Sequence, residues 1–339
     1  MKKHEMKGIE RLADRLLACR QTDETVCIFP HVNIDGDALG SALALLLSLR
    51  ALGVRACLPL DEPVPAKLDF LPALDQISLL SGSAFPPCSD GRWLALLVDC
   101  AQTIRLGQRQ ALSEQAAERW TLDHHIPRQQ PGSQDVIDTS AAAAAELVYD
   151  LILALEHKTR LVLLGRVVAT LLMAALISDT GGFVYSNTKK KTFAIASQLM
   201  DDDINLNEIT YRLFHRSSQG RLRLMGRLFS EARFSYGGRV AMATVSPQTM
   251  QDCQATDDDL DGIISHLRDV AGVELAVVLR LQAEGEIRVN LRSGASFDVS
   301  RFAGQFGGGG HARAAGMTLT QLTLEEAAAL ILQKAGELL

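Results

Sequence analysis

"VCIFPHVNIDGDALGSALALLLSLRAL" (residues 26–52) decides how this chain folds. Its first part, "VCIFPHV", is a short apolar run with β-branched residues after a polar stretch, so it reads as a buried strand. "NIDGD" follows as a turn, and "ALGSALALLLSLRAL" as an apolar helix that stops near Gly53. A strand buried on both faces and followed by a helix is the unit of a parallel sheet. Working outward, "VRACLPL" (54–60) and "WLALLVD" (93–99) are two more apolar strands, with a short apolar segment at "ISLL" between them. A helix around 108–118 leads to a short strand at "RWTLD" (119–123). The alternation predicts an α/β fold, a mostly parallel sheet with helices on both faces.

The chain has 339 residues, 47% hydrophobic and 22% charged, which suits a soluble globular protein of two domains. Its net charge of −6 argues against coating long duplex DNA, while leaving room for a short oligonucleotide in a locally basic cleft. The six cysteines (Cys19, Cys27, Cys57, Cys88, Cys100, Cys253) show no C-x-x-C spacing and fall mostly in apolar stretches, so buried free thiols and a reducing cytoplasm are expected. The N-terminus is charged throughout and does not read as a signal peptide. Arg50 and Arg166 interrupt the two most apolar windows, so no membrane span is expected.

Residues 140–178 read as two helices with a turn near "EHKTR", ended by the glycines of "SDTGGF". Residues 189–232 read as a polar helical connection. "RFSYGGRVAMATVS" and "VELAVVLRLQAEGEIRVNLRS" are strands, the second a hairpin at "AEGE", and "LEEAAALILQKAGELL" is a final helix. Three segments follow: 1–188, a linker at 189–232, and a smaller α+β domain at 233–339.

Four stretches carry chemistry. They are "HVNIDGD" (His31, Asp35, Asp37), "LLVDCA" (Asp99), "LDHH" (Asp123, His124, His125) and "LISDTGGF" (Asp179). Taken singly, each has a plain structural reading: Asp37 as a helix cap, Asp99 and Asp179 as turn residues, the histidines as loop residues. Three of the four follow apolar strands directly, which puts them at the carboxyl edge where open parallel sheets bind ligands. Carboxylates gathered there would raise one another's pKa values, a conflict that divalent cations remove. An Asp/His set without Cys suits Mn²⁺ first, with Mg²⁺, Co²⁺, Zn²⁺ or Fe²⁺ behind it. Six ligands suffice for two ions sharing a carboxylate, an arrangement that clamps both oxygens of a phosphoryl transfer.

In order and wording these motifs resemble the DHH phosphoesterase family over nearly the whole chain. "LRSGASFDVSRFAGQFGGGGHARAAG" is similar to that family's DHHA1 domain, and size and layout are similar to its oligoribonuclease (nanoRNase) and pAp-phosphatase subfamily. Ile34 departs from the pattern, which has Pro there. The resemblance implies two metal sites: His31 and Asp35 for the first, Asp37, His124 and Asp179 for the second, and Asp99 bridging both. A hydroxide activated between the ions would attack the phosphate. His125 would face the phosphate, and Asp123 would orient a histidine. The resemblance also implies that Arg292, Ser293, Gly308, Gly309, Gly310, His311 and Arg313 hold the substrate's far end, making a two-domain clamp. Glycine lets backbone approach an anion closely, and successive N–H groups can cradle it.

Between Thr210 and Arg233 six arginines face a single acid, Glu231, which reads either as a solvated helix face or as an electrostatic funnel. The expected activity is metal-dependent hydrolysis of short single-stranded RNA to 5′-mononucleotides, and of pAp to AMP, by a chain that could pair as a homodimer. The alternatives are a phosphodiesterase for cyclic dinucleotides or their linear products, and a non-catalytic nucleotide-binding regulator. The filled ligand set speaks against the last.

Overall fold

The computed structural model describes residues 3–80, 92–127, 130–282, 285–294 and 296–339. Cys88 and the first two residues of the "AEGE" turn therefore lie outside the described residues. The chain forms two compact units, Met1–Arg216 and Ser217–Leu339. The boundary falls inside the stretch that reads as a helical connection.

The first unit carries strands β1 (Thr25–Phe29), β2 (Ala56–Cys57), β3 (Pro59–Leu60), β4 (Ser78–Leu79), β5 (Trp93–Val98), β6 (Glu118–Asp123) and β7 (Asp135–Ile137). Its helices are α1 (Lys3–Thr22), α2 (Gly36–Ala51), α3 (Gln110–Glu114), α4 (Ala144–Thr159), α5 (Arg166–Thr180), α6 (Lys190–Met200) and α7 (Leu206–Thr210). The main sheet is wholly parallel, in the order β2-β1-β5-β6-β7. Strand side chains alternate between two apolar layers, which is why the strands read as unbroken hydrophobic runs. Val26, Ile28, Leu94, Leu96, Val98 and Leu122 join the core formed with α1, α2, α4 and α5. Cys27, Phe29, Trp93, Ala95 and Leu97 face the other way, toward the smaller α3 layer. From β1 the chain moves to β2 on one side and β5 on the other, so the switch point lies between β1 and β5 at their carboxyl ends.

Several elements differ from expectation. The predicted 54–60 strand breaks at Leu58. β2 stays in the main sheet, while β3 pairs with β4 in a separate two-stranded sheet. The predicted 108–118 helix is a 3₁₀ segment, Thr103–Arg109, followed by the short α3. Helix α1 and edge strand β7 had no reading, because their polar residues hide the periodicity.

In the second unit, strands β8 (Arg233–Ser235), β9 (Val240–Val245), β10 (Leu275–Leu281), β11 (Ile287–Ser293), β12 (Gly309–His311) and β13 (Ala314–Leu319) form one mixed sheet. Its order is β12-β13-β11-β10-β9-β8, with β9 and β10 parallel and the other pairs antiparallel. Helices α8 (Gln219–Ser230), α9 (Pro247–Cys253) and α10 (Ile263–Arg268) pack on one face, over β9 and β10. Helices α11 (Val299–Gly304) and α12 (Leu324–Gly336) pack on the other. Among the described residues no helix is long and apolar enough to cross a membrane.

Candidate metal centre

Each predicted ligand of the first unit sits where a strand or helix ends. After β1, Asp35 caps α2, its carboxylate accepting from the Ala38 N–H at 3.0 Å. The cap is therefore Asp35, not Asp37. Asp37 lies in the first turn of α2 and is fully buried. Its carboxylate reaches across to the start of α4, accepting from Ala144 N at 2.6 Å and Ala145 N at 3.0 Å, and from Ser41 Oγ at 3.0 Å. The first N–H groups of a helix have no partner inside it, so a buried carboxylate is well suited to that end.

Close helix packing completes the cluster. A Cβ on Gly36 would lie 2.6 Å from the Ser178 side chain, and one on Gly40 would lie 2.5 Å from the Leu171 carbonyl. Two glycines thus let the start of α2 press against α5, which brings Asp37 and Asp179 to the same place. Asp179 sits in the last turn of α5, and Gly181 ends that helix in the left-handed region. Asn187 bridges the Asp179 and Ala142 carbonyls with its amide. Asp99, directly after β5, takes a left-handed φ of +57°, a costly conformation for a residue other than glycine.

The donor atoms form two groups that meet at Asp99. His31 Nε2 lies 3.7 Å from Asp35 Oδ2 and 3.4 Å from Asp99 Oδ2. His124 Nε2 lies 3.4 Å from Asp99 Oδ1, 3.4 Å from Asp179 Oδ2 and 3.9 Å from Asp37 Oδ2. Asp99 thus presents one oxygen to each group. His31 Nδ1 is 2.7 Å from the Val32 carbonyl, so Nδ1 keeps its proton and Nε2, turned inward, is the nitrogen that would give up its proton to a cation. Asp123 Oδ1 accepts from the His124 and His125 backbone N–H groups and from His125 Nδ1, at 2.7, 3.1 and 2.9 Å. The histidine it orients is therefore His125, whose ring is partly exposed while His124 turns inward.

Electrostatics point to cations. Burial works against charge on His31 and His124, yet the surrounding carboxylates outweigh it and push both up to about 9. A hydrogen bond to Asp123 and the nearby Asp99 carboxylate push His125 up to about 10. Burial, helped by Asp99, raises Asp179 to about 6. Burial and the Asp99 and Asp179 charges push Asp37 above the usual carboxylate range, although its three donors favour the anion. Burial also disfavours charge on Asp99, but His124, His125 and His31 hold it well below that range. Asp99 Oδ1 and His124 Nε2 are buried without a hydrogen-bond partner. Unsatisfied ligand atoms of this kind, facing one another, fit a divalent cation better than a hydrogen-bonded structural cluster.

Comparison with known proteins covers all of these donor residues but Asp179 with one family model. The family model described as "DHH family, N-terminal domain" matches residues 25–176, and the DHHA1 domain model matches 237–339. The bifunctional oligoribonuclease and PAP phosphatase NrnA of Thermus thermophilus is 33% identical over 92% of this chain and 89% of its own length. The chain belongs to the DHH family of phosphoesterases. NrnA of Bacillus subtilis is 27% identical over 87% of this chain and 90% of its own. The crystal structure of an exopolyphosphatase-related protein from Bacteroides fragilis shares the fold at a TM-score of 0.85, 22% identity, and coverage of 98% and 96%.

In the DHHA1 domain the predicted substrate residues divide. Arg292, Gly308 and Gly309 line a polar cavity of about 760 Å³ over β11 and β13. Ser293 alternates to the buried face of β11 and donates to the Phe297 carbonyl at 2.6 Å, so it holds Phe297 rather than facing the cavity. Arg313 donates to the same carbonyl at 2.8 Å. His311 is exposed on β12, the edge strand, opposite Ala314.

The glycine run is no open cradle. Gly307 and Gly308 N–H groups already donate to Gly304 and Ala303 carbonyls at the end of α11. A Cβ on Gly308 would lie 2.4 Å from the Gly316 carbonyl, and one on Gly310 would lie 2.5 Å from that of Ala314. The run is needed for close approach of β12 to β13.

Most of the arginines between 210 and 233 also have local partners. Arg212 and Arg216 meet Asp69, Arg227 meets Glu231 and Asp252, and Arg221 and Arg223 donate to the Asp259 carbonyl and Gln254. This is the solvated-face reading, and the bare count overstates the free positive charge. Three features had no reading from the sequence: the Asp37 cap on α4, the Asn187 bridge, and the residues Arg288 and Asn290 beside Arg292 in the cavity. For the last, the period-two pattern of "EIRVNLRS" was the available signal.

Proposed function

We propose that this protein hydrolyses short single-stranded oligoribonucleotides to 5′-mononucleotides, and pAp to AMP, with two divalent cations of which Mn²⁺ is the preferred. The observation that carries the reading is that His31, Asp35 and Asp99 form one donor group and Asp37, His124 and Asp179 another, linked by the Asp99–His124 contact of a third overlapping group with Asp123 and His125, within a chain whose relatives are named for these activities. His31, Asp35 and Asp99 would hold one cation, and Asp37, His124 and Asp179 the other, with Asp99 shared. Cations held there neutralise the carboxylates, polarise the phosphoryl oxygens and make an attacking water more acidic.

The chain's own groups supply the rest. His31 is kept in its ligand tautomer by the Val32 carbonyl. The α4 N-terminus holds the Asp37 carboxylate in place and aimed inward. His125, oriented by Asp123 through Nδ1, is accessible to substrate and donates to a phosphate oxygen or to the departing oxygen. Arg292, in the polar cavity of the DHHA1 domain, takes the far phosphate or base. The relatives' names favour this reading over a cyclic-dinucleotide phosphodiesterase. Among the described residues the five cysteines form no disulfide, and we assign the protein to the cytoplasm.

The test is hydrolysis of a 5′-phosphorylated RNA dinucleotide with Mn²⁺ by the wild type and Asp99→Ala. Wild-type activity with a loss of at least about a thousandfold in the variant is expected, because both groups lose a ligand. Equal activity in the two proteins, or none in either, overturns the assignment.

A further inference from the structure

The outer face of β11 carries an alternating row: Glu286 just before the strand, then Arg288, Asn290 and Arg292. Their side chains share one side of the sheet because strand side chains alternate. All four line the 760 Å³ cavity. Across from the row, β13 offers only small residues, since Arg288 pairs with Thr318, Asn290 with Gly316 and Arg292 with Ala314. Beyond them the cavity is closed by the glycines at 307–309. The result is a trough with a flat floor and one polar wall.

The wall has a definite repeat. Alternate strand residues stand roughly 6.6–6.8 Å apart. Between successive phosphorus atoms a nucleotide backbone has as many bonds as two residues of polypeptide. An extended single strand laid along β11 therefore repeats its phosphates nearly in step with this row. Arg292 and Arg288 offer cationic forks to phosphate, and Asn290 between them offers an amide N–H. Arg288 is exposed and has no ion-pair partner among the described residues. Glu286, next in the same register, offers a negative charge, which a phosphate avoids.

We infer that this row is a phosphate track that measures oligonucleotide length: Arg292, Asn290 and Arg288 take three successive phosphates, and Glu286 turns away a fourth. The inference rests on the proposed activity and adds to it a substrate class, single strands short enough to end at Glu286. Continuous nucleic-acid tracks are lined by cations throughout. A track terminated by an acid favours a bounded length instead.

The experiment measures kcat/KM for 5′-phosphorylated oligoadenylates of two to seven nucleotides. The full-length wild type is compared with Arg288→Ala, Arg288→Lys and Glu286→Gln. A dinucleotide has two phosphates, too few to fill the row, whereas a tetranucleotide has one for each of the three track residues and one to be hydrolysed. Arg288→Ala is expected to lower the tetranucleotide value at least fivefold and leave the dinucleotide within twofold. Arg288→Lys should recover most of that loss. The salt dependence of tetranucleotide binding should flatten by about 0.7 in log–log slope, as for one lost phosphate contact on a single strand. Glu286→Gln should raise the values for five nucleotides and longer at least threefold and leave the tetranucleotide unchanged.

Effects independent of length, or no effect of any variant, overturn the track. A wild type that leaves the dinucleotide intact overturns the proposed activity instead. A flat response to length in a wild type that cleaves the dinucleotide overturns the track alone.

Discussion

Asp37 has two jobs on this structure, and substitution can separate them. Its carboxylate is one of the second group of proposed metal donors, and it also receives the first N–H groups of α4. Asp37→Ala removes both functions. It leaves the N–H groups of Ala144 and Ala145 buried without partners, at roughly 1–3 kcal/mol each, so the loss of stability is about 2–6 kcal/mol. That is a large share of the 5–15 kcal/mol typical of a domain.

Asp37→Asn removes the charge but keeps one acceptor oxygen. Either rotamer sets an amide N–H against at least one of the donors, at about 1–3 kcal/mol. Part of that cost is offset, because burial and the Asp99 and Asp179 charges already disfavour the Asp37 anion in the absence of metal. The assays are urea unfolding in a chelator, metal content after reconstitution with Mn²⁺, and dinucleotide hydrolysis. Both variants should bind one ion fewer and lose at least a hundredfold in rate, while only Asp37→Ala should be strongly destabilised in chelator. If Asp37→Ala unfolds within about 0.5 kcal/mol of the wild type, a difference too small for even one lost buried hydrogen bond, the helix-capping argument is refuted.

Three other outcomes are expected. His124→Ala should lose one bound metal, whereas His125→Ala should keep both and lose rate; equal metal loss, read by elemental analysis, contradicts the division between the adjacent histidines. In the second unit, burial opposes the Asp259 carboxylate, but Thr256 and Ser218 donors outweigh it and lower its pKa. A depressed folded-state pKa gives stability that is present above the unfolded value of about 3.9 and is lost as pH falls through the folded one. Acid unfolding should therefore be shallower in Asp259→Asn, and an unchanged profile below about pH 4 counts against this linkage. Gly308→Ala should destabilise the DHHA1 domain by about 1–3 kcal/mol through its clash with Gly316 and Met317, seen as a lower Tm of that unit with metal content unchanged.

Much of the first unit was legible in the sequence because its strands are buried on both faces. Runs such as "WLALLV" permit few other structures, and acids placed directly after them fall at one sheet edge whatever the details. The glycines of "SDTGGF" likewise marked the end of α5. Short or polar elements were not legible. β7 has three residues, α1 is charged along most of its length, and the broken 54–60 strand looked continuous because Leu58 is as apolar as its neighbours.

In the DHHA1 domain the glycine run was visible, but its physical reason was not. The choice between an anion cradle and a close strand approach depends on where Gly316 and Ala314 lie. By itself the sequence determined the parallel sheet, the candidate donor residues and, through resemblance, the family. Tertiary structure alone decided which oxygen of Asp99 faces which histidine, that Asp123 holds His125, and that Asp37 closes the end of a helix more than a hundred residues away. Periodicity and composition act along the chain, whereas hydrogen bonds and charge coupling act through space, and only the packed fold sets those distances.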